Sequence, residues 1–226
     1  QVVRDDSKAA VSRAVIQIDS RVLFNPSLET SVFMVPGTMC MLMIITTMIM
    51  SNVAIVREKE MGTFEMLISA PVSKTEVIAG KTIPYVFLGL SNFPLILAVA
   101  VFVFHVPLRG SIFVLFLAAL AFVCTAVALG TLISTYCQSQ QQATLASFVF
   151  LFPMIMFAGL VFPIENMPVY VKWLSYIDPM SHFLGLLRNI MLKGGGTQYV
   201  VTHIGVLVAM AIVSVAASFR RFHTTL

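Results

Sequence analysis

VFMVPGTMCMLMIITTMIMSNVAIV, residues 32–56, runs for 25 residues without one Asp, Glu, Lys or Arg. As an α-helix at about 1.5 Å per residue it exceeds the roughly 30 Å hydrocarbon core of a bilayer. A helix satisfies its own backbone hydrogen bonds in lipid, and the alternating pattern that a closed barrel needs is missing here. The stretch therefore reads as a membrane span. Four more uncharged apolar runs follow, at residues 83–106, 111–136, 142–162 and 199–219. The expected fold is an all-α polytopic membrane protein with five transmembrane helices, and residues 31–226 form its transmembrane domain.

Composition agrees. Of 226 residues, 58% are hydrophobic and 11% charged, and the mean hydropathy is +0.94. Soluble chains carry roughly 25% charged residues, so too few polar side chains remain to cover a water-facing surface. The formal charge of +4 comes from scattered basic residues, which gives no nucleic-acid signature. Cys40, Cys124 and Cys137 lie in or beside apolar runs and show no metal spacing or disulfide framework.

Residues 1–30 differ in kind. They hold Arg4, Asp5, Asp6, Lys8, Arg13, Asp19, Arg21 and Glu29. Ala14, Ile16, Ile18, Val22 and Phe24 alternate with Gln17, Asp19 and Arg21, a period of two that suggests a half-buried strand. Asn25-Pro26 breaks it. This opening reads as the end of an extracytoplasmic domain whose remainder belongs to a longer protein.

The connections set the orientation. Five spans place the chain ends on opposite sides. With residues 57–82 inside, Arg57, Lys59, Lys74, Lys81, Arg220 and Arg221 are cytoplasmic, against Arg109, Lys172, Arg188 and Lys193 outside. The bias follows the positive-inside rule.

Two motifs that resemble catalytic ones fail on inspection. Gly80-Lys81-Thr82 ends like a phosphate-binding loop, but Thr75 stands where the first glycine must let backbone N–H groups wrap the phosphates. Gly89-Leu90-Ser91 resembles the serine motif of intramembrane proteases, which needs a histidine within reach. Counted along the spans, Ser91 and His203 are about 12 Å apart on the membrane normal. Ser91 and Asn92 read instead as helix–helix hydrogen-bonding residues. No catalytic residue is assigned.

Residues 57–81, REKEMGTFEMLISAPVSKTEVIAGK, are the most informative connection. Met61, Phe64, Leu67 and Ile68 fall on one helical face, with Glu58, Glu60 and Glu65 elsewhere. Ala70-Pro71 stops that helix, and Ser73 with Glu76 forms a capping box for the next. An amphipathic helix results. It either rests on lipid headgroups or enters a groove on a cytoplasmic partner.

In the first run, Met39, Met43, Thr46 and Met50 share a face at about 100° per residue, and Met34, Met41 and Met48 lie roughly opposite. Methionine suits pliable surfaces and also ordinary filling. Pro153 suggests a kink in the fourth run, near Phe148, Phe150, Phe152 and Phe157. Residues 163–198 are too apolar for a free loop. Pro168 can open one short helix, and Asp178-Pro179 can cap another with Phe183, Leu186, Leu187 and Ile190 on its apolar side. Both would lie on or dip into the outer leaflet. Arg188 would form an ion pair or face water.

At Asn25-Pro26, Pro36-Gly37, residues 57–81, and the pattern from Met167-Pro168 through Asp178-Pro179 to Arg188, the chain resembles the permease subunits of type-2 ABC exporters. Its closest resemblance is to the bacterial drug- and ion-efflux branch. The most specific part is Arg57-Glu58-Lys59-Glu60-x-Gly62-Thr63-x-Glu65 with Pro71-Val72-Ser73 and Gly80-Lys81. Family members have six spans, with an extracytoplasmic domain between the first two, so the sequence in hand lacks the first span.

The resemblance implies a multi-pass permease of the inner membrane, working as a dimer with a second copy or close paralogue. Two ABC ATPase subunits would hold the ATP and Mg, with no cofactor in this chain. It implies a coupling helix over Arg57, Glu58, Glu60, Met61, Phe64, Glu65, Leu67 and Ile68. A substrate route would run along Met39, Met43, Thr46, Met50, Pro153 and Phe157. An external gate would involve Trp173, Asp178, Pro179 and Arg188. The cargo would be a small amphipathic or ionic substrate. A helical channel or scaffold outside the ABC families is the alternative. A channel should show a ring of charges or carbonyls, and no charged ring is visible.

Overall fold

The computed structural model describes residues 30–62 and 74–222, without the side chains of 74–79, 219 and 222. The strand expected over 14–24 lies outside the described residues, as do Phe64, Glu65, Leu67, Ile68, Pro71 and the Ser73–Glu76 capping box.

Among the described residues the regular structure is all helix, and the protein is an all-α polytopic membrane protein. In chain order the helices are α1 (Thr30–Glu60), α2 (Lys74–Ala98), α3 (Ile112–Ser134), α4 (Gln140–Phe157), α5 (Val169–Ile177), α6 (Pro179–Lys193) and α7 (Thr197–Phe222). A π-turn at Val99–Val103 ends α2, and a 3₁₀ turn at Ile164–Asn166 precedes α5. Among the described residues four helices are long and apolar enough to cross a membrane: α1, α2 continued through the π-turn (Gly80–Val103), α3 and α7.

The run expected as a span at 142–162 is shorter as a helix. It forms α4, which has 18 residues and opens on Gln140, Gln141 and Gln142. Gly159 ends it, with φ +80° and a position where a Cβ would strike Ile164. A left-handed glycine just past a helix is a common stop. Residues 158–162 are therefore turn.

The helix order alternates between two ends as expected. At one end Lys59 meets Ser134 and Arg221 lies over the Tyr136 ring. At the other the Arg109 N–H donates to the Met191 carbonyl at 3.0 Å.

Helix α3 is the hub and packs on α1, α2, α6 and α7. The apolar windows of α1 and α3 are each 56% buried, against 17% for α2 and α7, so α1 and α3 form the centre. Small residues bring the backbones close, as is usual where lipid supplies no hydrophobic drive between helices. At Gly130 a Cβ would collide with Ser51 Oγ and stand 2.7 Å from the Met48 carbonyl oxygen. At Gly89 it would meet Thr47 Oγ1 at 2.6 Å and Val123 Cγ1 at 2.9 Å.

Helices α5 and α6 behave differently from each other. Phe183, Leu186, Leu187 and Ile190 of α6 are fully buried, and the Phe183 ring stacks on Phe122 of α3 with centroids 4.1 Å apart. Of the two short helices expected to lie on or dip into the outer leaflet, α6 packs inside the bundle against α1, α3 and α7. The α5 face with Val169, Tyr170, Trp173 and Ile177 stays exposed, in keeping with the preference of aromatic rings for the membrane interface.

Candidate functional site: a charge cluster at one end of the bundle

Arg57, Glu58, Lys59 and Glu60 form the last turn of α1. Three of them reach three other helices. Glu58 pairs with Lys81 of α2. The Lys59 ammonium donates to the Ser134 carbonyl at 2.6 Å. Glu60 Oε2 accepts from the Gln140 backbone N–H at 3.2 Å and from its side-chain amide at 2.9 Å. Arg57 is exposed.

The signs follow from helix ends. Ser134 closes α3, where carbonyls lack intrahelical partners and the dipole is negative. Gln140 opens α4, where N–H groups are free and the dipole is positive. Consecutive residues of opposite charge thus satisfy the two ends of one helical hairpin. Cys137 sits in that hairpin's turn, and burial raises its thiol, with the Lys59 ammonium opposing.

Helix α1 stops at once beyond the cluster. Met61 donates to the Arg57 carbonyl at 3.0 Å and Gly62 to that of Lys59 at 3.1 Å, and Gly62 has φ +70°. The helix expected to begin at Arg57 is, over residues 57–60, the continuation of α1. Met61 is in the turn and 60% exposed.

About two turns before the cluster, Asn52 is fully buried. Its amide donates to the Ala143 carbonyl and to Ser147 Oγ of α4, both at 2.8 Å. Sequence reasoning did not single out Asn52, Ser134 or Gln140, and it gave Lys59 a place in the motif but no partner. A polar Asn in an apolar run was the available signal.

The methionine faces divide unexpectedly. Met39, Met43 and Met48 are buried, whereas Met34 and Met50 are exposed at 42% and 47%. Thr46 and Met41 are intermediate. The exposed stripe of α1 runs from Met34 on one of the two faces read from the sequence, through Thr38 and Leu42 between them, to Met50 on the other. The reason is that α3, α4 and α2 cover parts of both. Pro153 is exposed and Phe157 intermediate.

At the opposite end the four expected gate residues separate. Trp173 is 67% exposed. Asp178 Oδ1 caps α6 by accepting from the Met180 N–H at 3.0 Å, and Pro179 follows at its first position. Among the described residues Arg188 pairs with no carboxylate, and it does not face water freely. Its guanidinium donates to the Gly159 carbonyl at 3.3 Å and stacks 3.9 Å over Phe33. Burial lowers its pKa, with Glu165 opposing. A cavity of about 400 Å³ lies beside it, lined by Gly159, Glu165, His182, Arg188 and Tyr199 among others.

Burial raises the Asp178 carboxyl to about 7, against backbone donors at Met180 and Ser181. Its Oδ2 is buried and finds no partner among the described residues. Between roughly pH 4 and 7 the unfolded chain releases a proton that the folded one keeps, so stability is highest below about 4 and falls as pH rises through 7. Asp178→Asn keeps the cap without the charge. It is expected to raise thermal stability at pH 8 by on the order of a few kcal/mol and to flatten the profile between pH 5 and 8. Unchanged slopes in detergent melts would remove Asp178 as their source.

Comparison with known proteins adds the lineage. Residues 3–220 match the family profile described as ABC-2 family transporter protein. The chain is 31% identical over 225 residues to the "Probable multidrug ABC transporter permease YbhS" of Escherichia coli K12, covering 98% of this chain and 59% of that protein. It is 30% identical over 199 residues to YbhR of the same organism and name, covering 88% and 54%. It is 31% identical over 229 residues to the Escherichia coli "Inner membrane transport permease YhhJ", covering 99% and 59%. The chain therefore spans a little over half the length of these relatives.

Proposed function

The chain belongs to the ABC-2 family of transporter proteins, and on that premise we propose that it is the permease part of an ATP-driven exporter. The family match sets aside the channel or scaffold outside the ABC families. The protein is a multi-pass protein of the inner membrane. Two copies, or this chain and a paralogue, enclose the route, and two separate ABC ATPase subunits bind ATP and Mg.

The observation that carries this reading is the α1 end cluster. The resemblance puts ATPase docking over residues 57–68. At the start of that segment, Glu58, Lys59 and Glu60 bond to α2, α3 and α4. A push on that segment therefore reaches four helices at once, which suits a rigid-body change between inward- and outward-open states. Residues 57–62 lie on the cytoplasmic side in this arrangement. Two of the relatives are named as probable multidrug ABC transporter permeases, in keeping with a small amphipathic or ionic substrate.

Two experiments test the reading. An ABC ATPase should co-purify with the tagged full-length protein, and the permease alone should hydrolyse no ATP. Turnover by the permease free of its partner would refute the division of labour. Phe64→Asp places a charge on the apolar docking face, whose burial provides only a few kcal/mol at about 25 cal/mol per Å². Export should fall at least tenfold with insertion intact. Normal export by Phe64→Asp with its ATPase bound would dismiss the coupling role.

A further inference from the structure

Two histidines from different helices meet beside the cavity at the end opposite the charge cluster. His182 of α6 and His203 of α7 place their Nδ1 atoms 2.8 Å apart, with ring centroids 5.0 Å apart. His182 Nε2 lies 2.9 Å from the Tyr176 carbonyl oxygen at the end of α5. The Tyr199 ring lies against His203, centroids 4.0 Å apart. His182 is 7% exposed.

The ligand of such a pair is a metal ion or a proton. Among the described residues no group of three His, Cys, Asp or Glu could hold a metal. The Nδ1–Nδ1 distance is also that of a hydrogen bond and is too short for two bonds of about 2.0 Å to one tetrahedral metal.

The hydrogen positions follow from the partners. A carbonyl oxygen only accepts, so His182 Nε2 carries a hydrogen. In the uncharged pair His182 Nδ1 is then bare, and the shared hydrogen belongs to His203 Nδ1. His203 Nε2 is bare as well.

We propose that His182 and His203 form a two-imidazole proton site that clamps α6 to α7 with its first proton and releases them with its second. The first proton goes to His203 Nε2. It leaves the Nδ1–H···Nδ1 bond in place and makes its donor cationic, which strengthens it. The second has only His182 Nδ1 left to occupy. Two N–H donors and two positive charges then face each other, and the bond is lost.

The other charged or titratable groups around the site set the balance. Arg188 and Lys193 of α6 oppose the second proton, and Glu165 in the turn before α5 favours it. Tyr199 of α7 is neutral near pH 7. Asp178 caps the start of α6. Histidine is the side chain that ordinarily changes charge between pH 5 and 8. The second proton breaks the α6–α7 contact at the cavity wall, while His182 Nε2–H still donates to the Tyr176 carbonyl of α5 and carries the new charge next to that helix. The site stands whether or not the chain exports.

The sequence carries one tryptophan, Trp173, edge-on to Tyr176 at 6.0 Å. Its emission therefore reads the clamp. The full-length protein in nanodiscs, with any other tryptophan replaced by phenylalanine, is titrated from pH 8.5 to 4.5. His203→Asn replaces Nδ1 with a non-titrating amide, and His182→Gln keeps a donor for the Tyr176 carbonyl. An acid-side shift in Trp173 emission is expected in the parent, lost in the double variant and in His203→Asn alone, and retained in Asp178→Asn. A flat parent profile would overturn the proposal, as would an acid step that survives in His203→Asn. Loss of the step in Asp178→Asn would do so too, by assigning it to the carboxyl.

Discussion

Gly130→Leu is expected to leave almost no folded protein. Helices α1 and α3 touch at this glycine, where even a Cβ would collide with Ser51 Oγ and approach the Met48 carbonyl oxygen to 2.7 Å. Neither neighbour can give way cheaply. The carbonyl is backbone inside a helix, and Ser51 is fully buried. Overpacking a close-packed site costs about 1–3 kcal/mol for small additions and more when backbone must move. Gly130→Ala should therefore lower stability by about that amount, and leucine should separate the helices. Gly205 of α7 is the control, because nothing lies within 4 Å of a Cβ there. Size-exclusion profiles and thermal midpoints of detergent-solubilised protein distinguish them. Equal midpoints for Gly130→Ala and Gly205→Ala would show that α1 and α3 do not approach this closely.

Lys59→Glu should abolish transport while the chain still inserts. The parent ammonium satisfies a carbonyl at the end of α3. A carboxylate there has no donor to offer, meets the negative end of a helix dipole, and joins Glu58 and Glu60. Losing a charge-assisted hydrogen bond costs about 1.5–3 kcal/mol, and the reversed dipole interaction adds up to about 1 kcal/mol. A bias of that size between two conformations shifts their ratio more than tenfold. Lys59→Arg retains charge and donors and should keep most activity. Vesicle transport with the ATPase present, beside a membrane-insertion assay, separates coupling from biogenesis. Full export by Lys59→Glu would mean that the α1–α3 tie transmits nothing.

The sequence alone determined the solvent of this protein and most of its helices. Whether 20 or more uncharged residues enter lipid is a sum over residues, so residues 32–56 decided a span without reference to the rest. The caps were equally local. Asp178-Pro179 opens α6 where expected, because an N-cap needs only its own next two or three N–H groups. The stop of the fourth run at Gly159 and of α1 at Gly62 was present as a residue type but was read only from the backbone angles.

Tertiary structure alone decided which faces are covered and which charges meet. The methionine faces of α1 could not be sorted beforehand, because lipid and protein interior are equally apolar and hydropathy does not separate them. Met43 and Met50 share a helical face, yet one is fully buried and the other 47% exposed. Lys59 meets Ser134 across 75 positions, and His182 meets His203 across 21. Such partners depend on how helices cross, and crossing is set by close backbone approach at small residues such as Gly130, not by hydrophobicity.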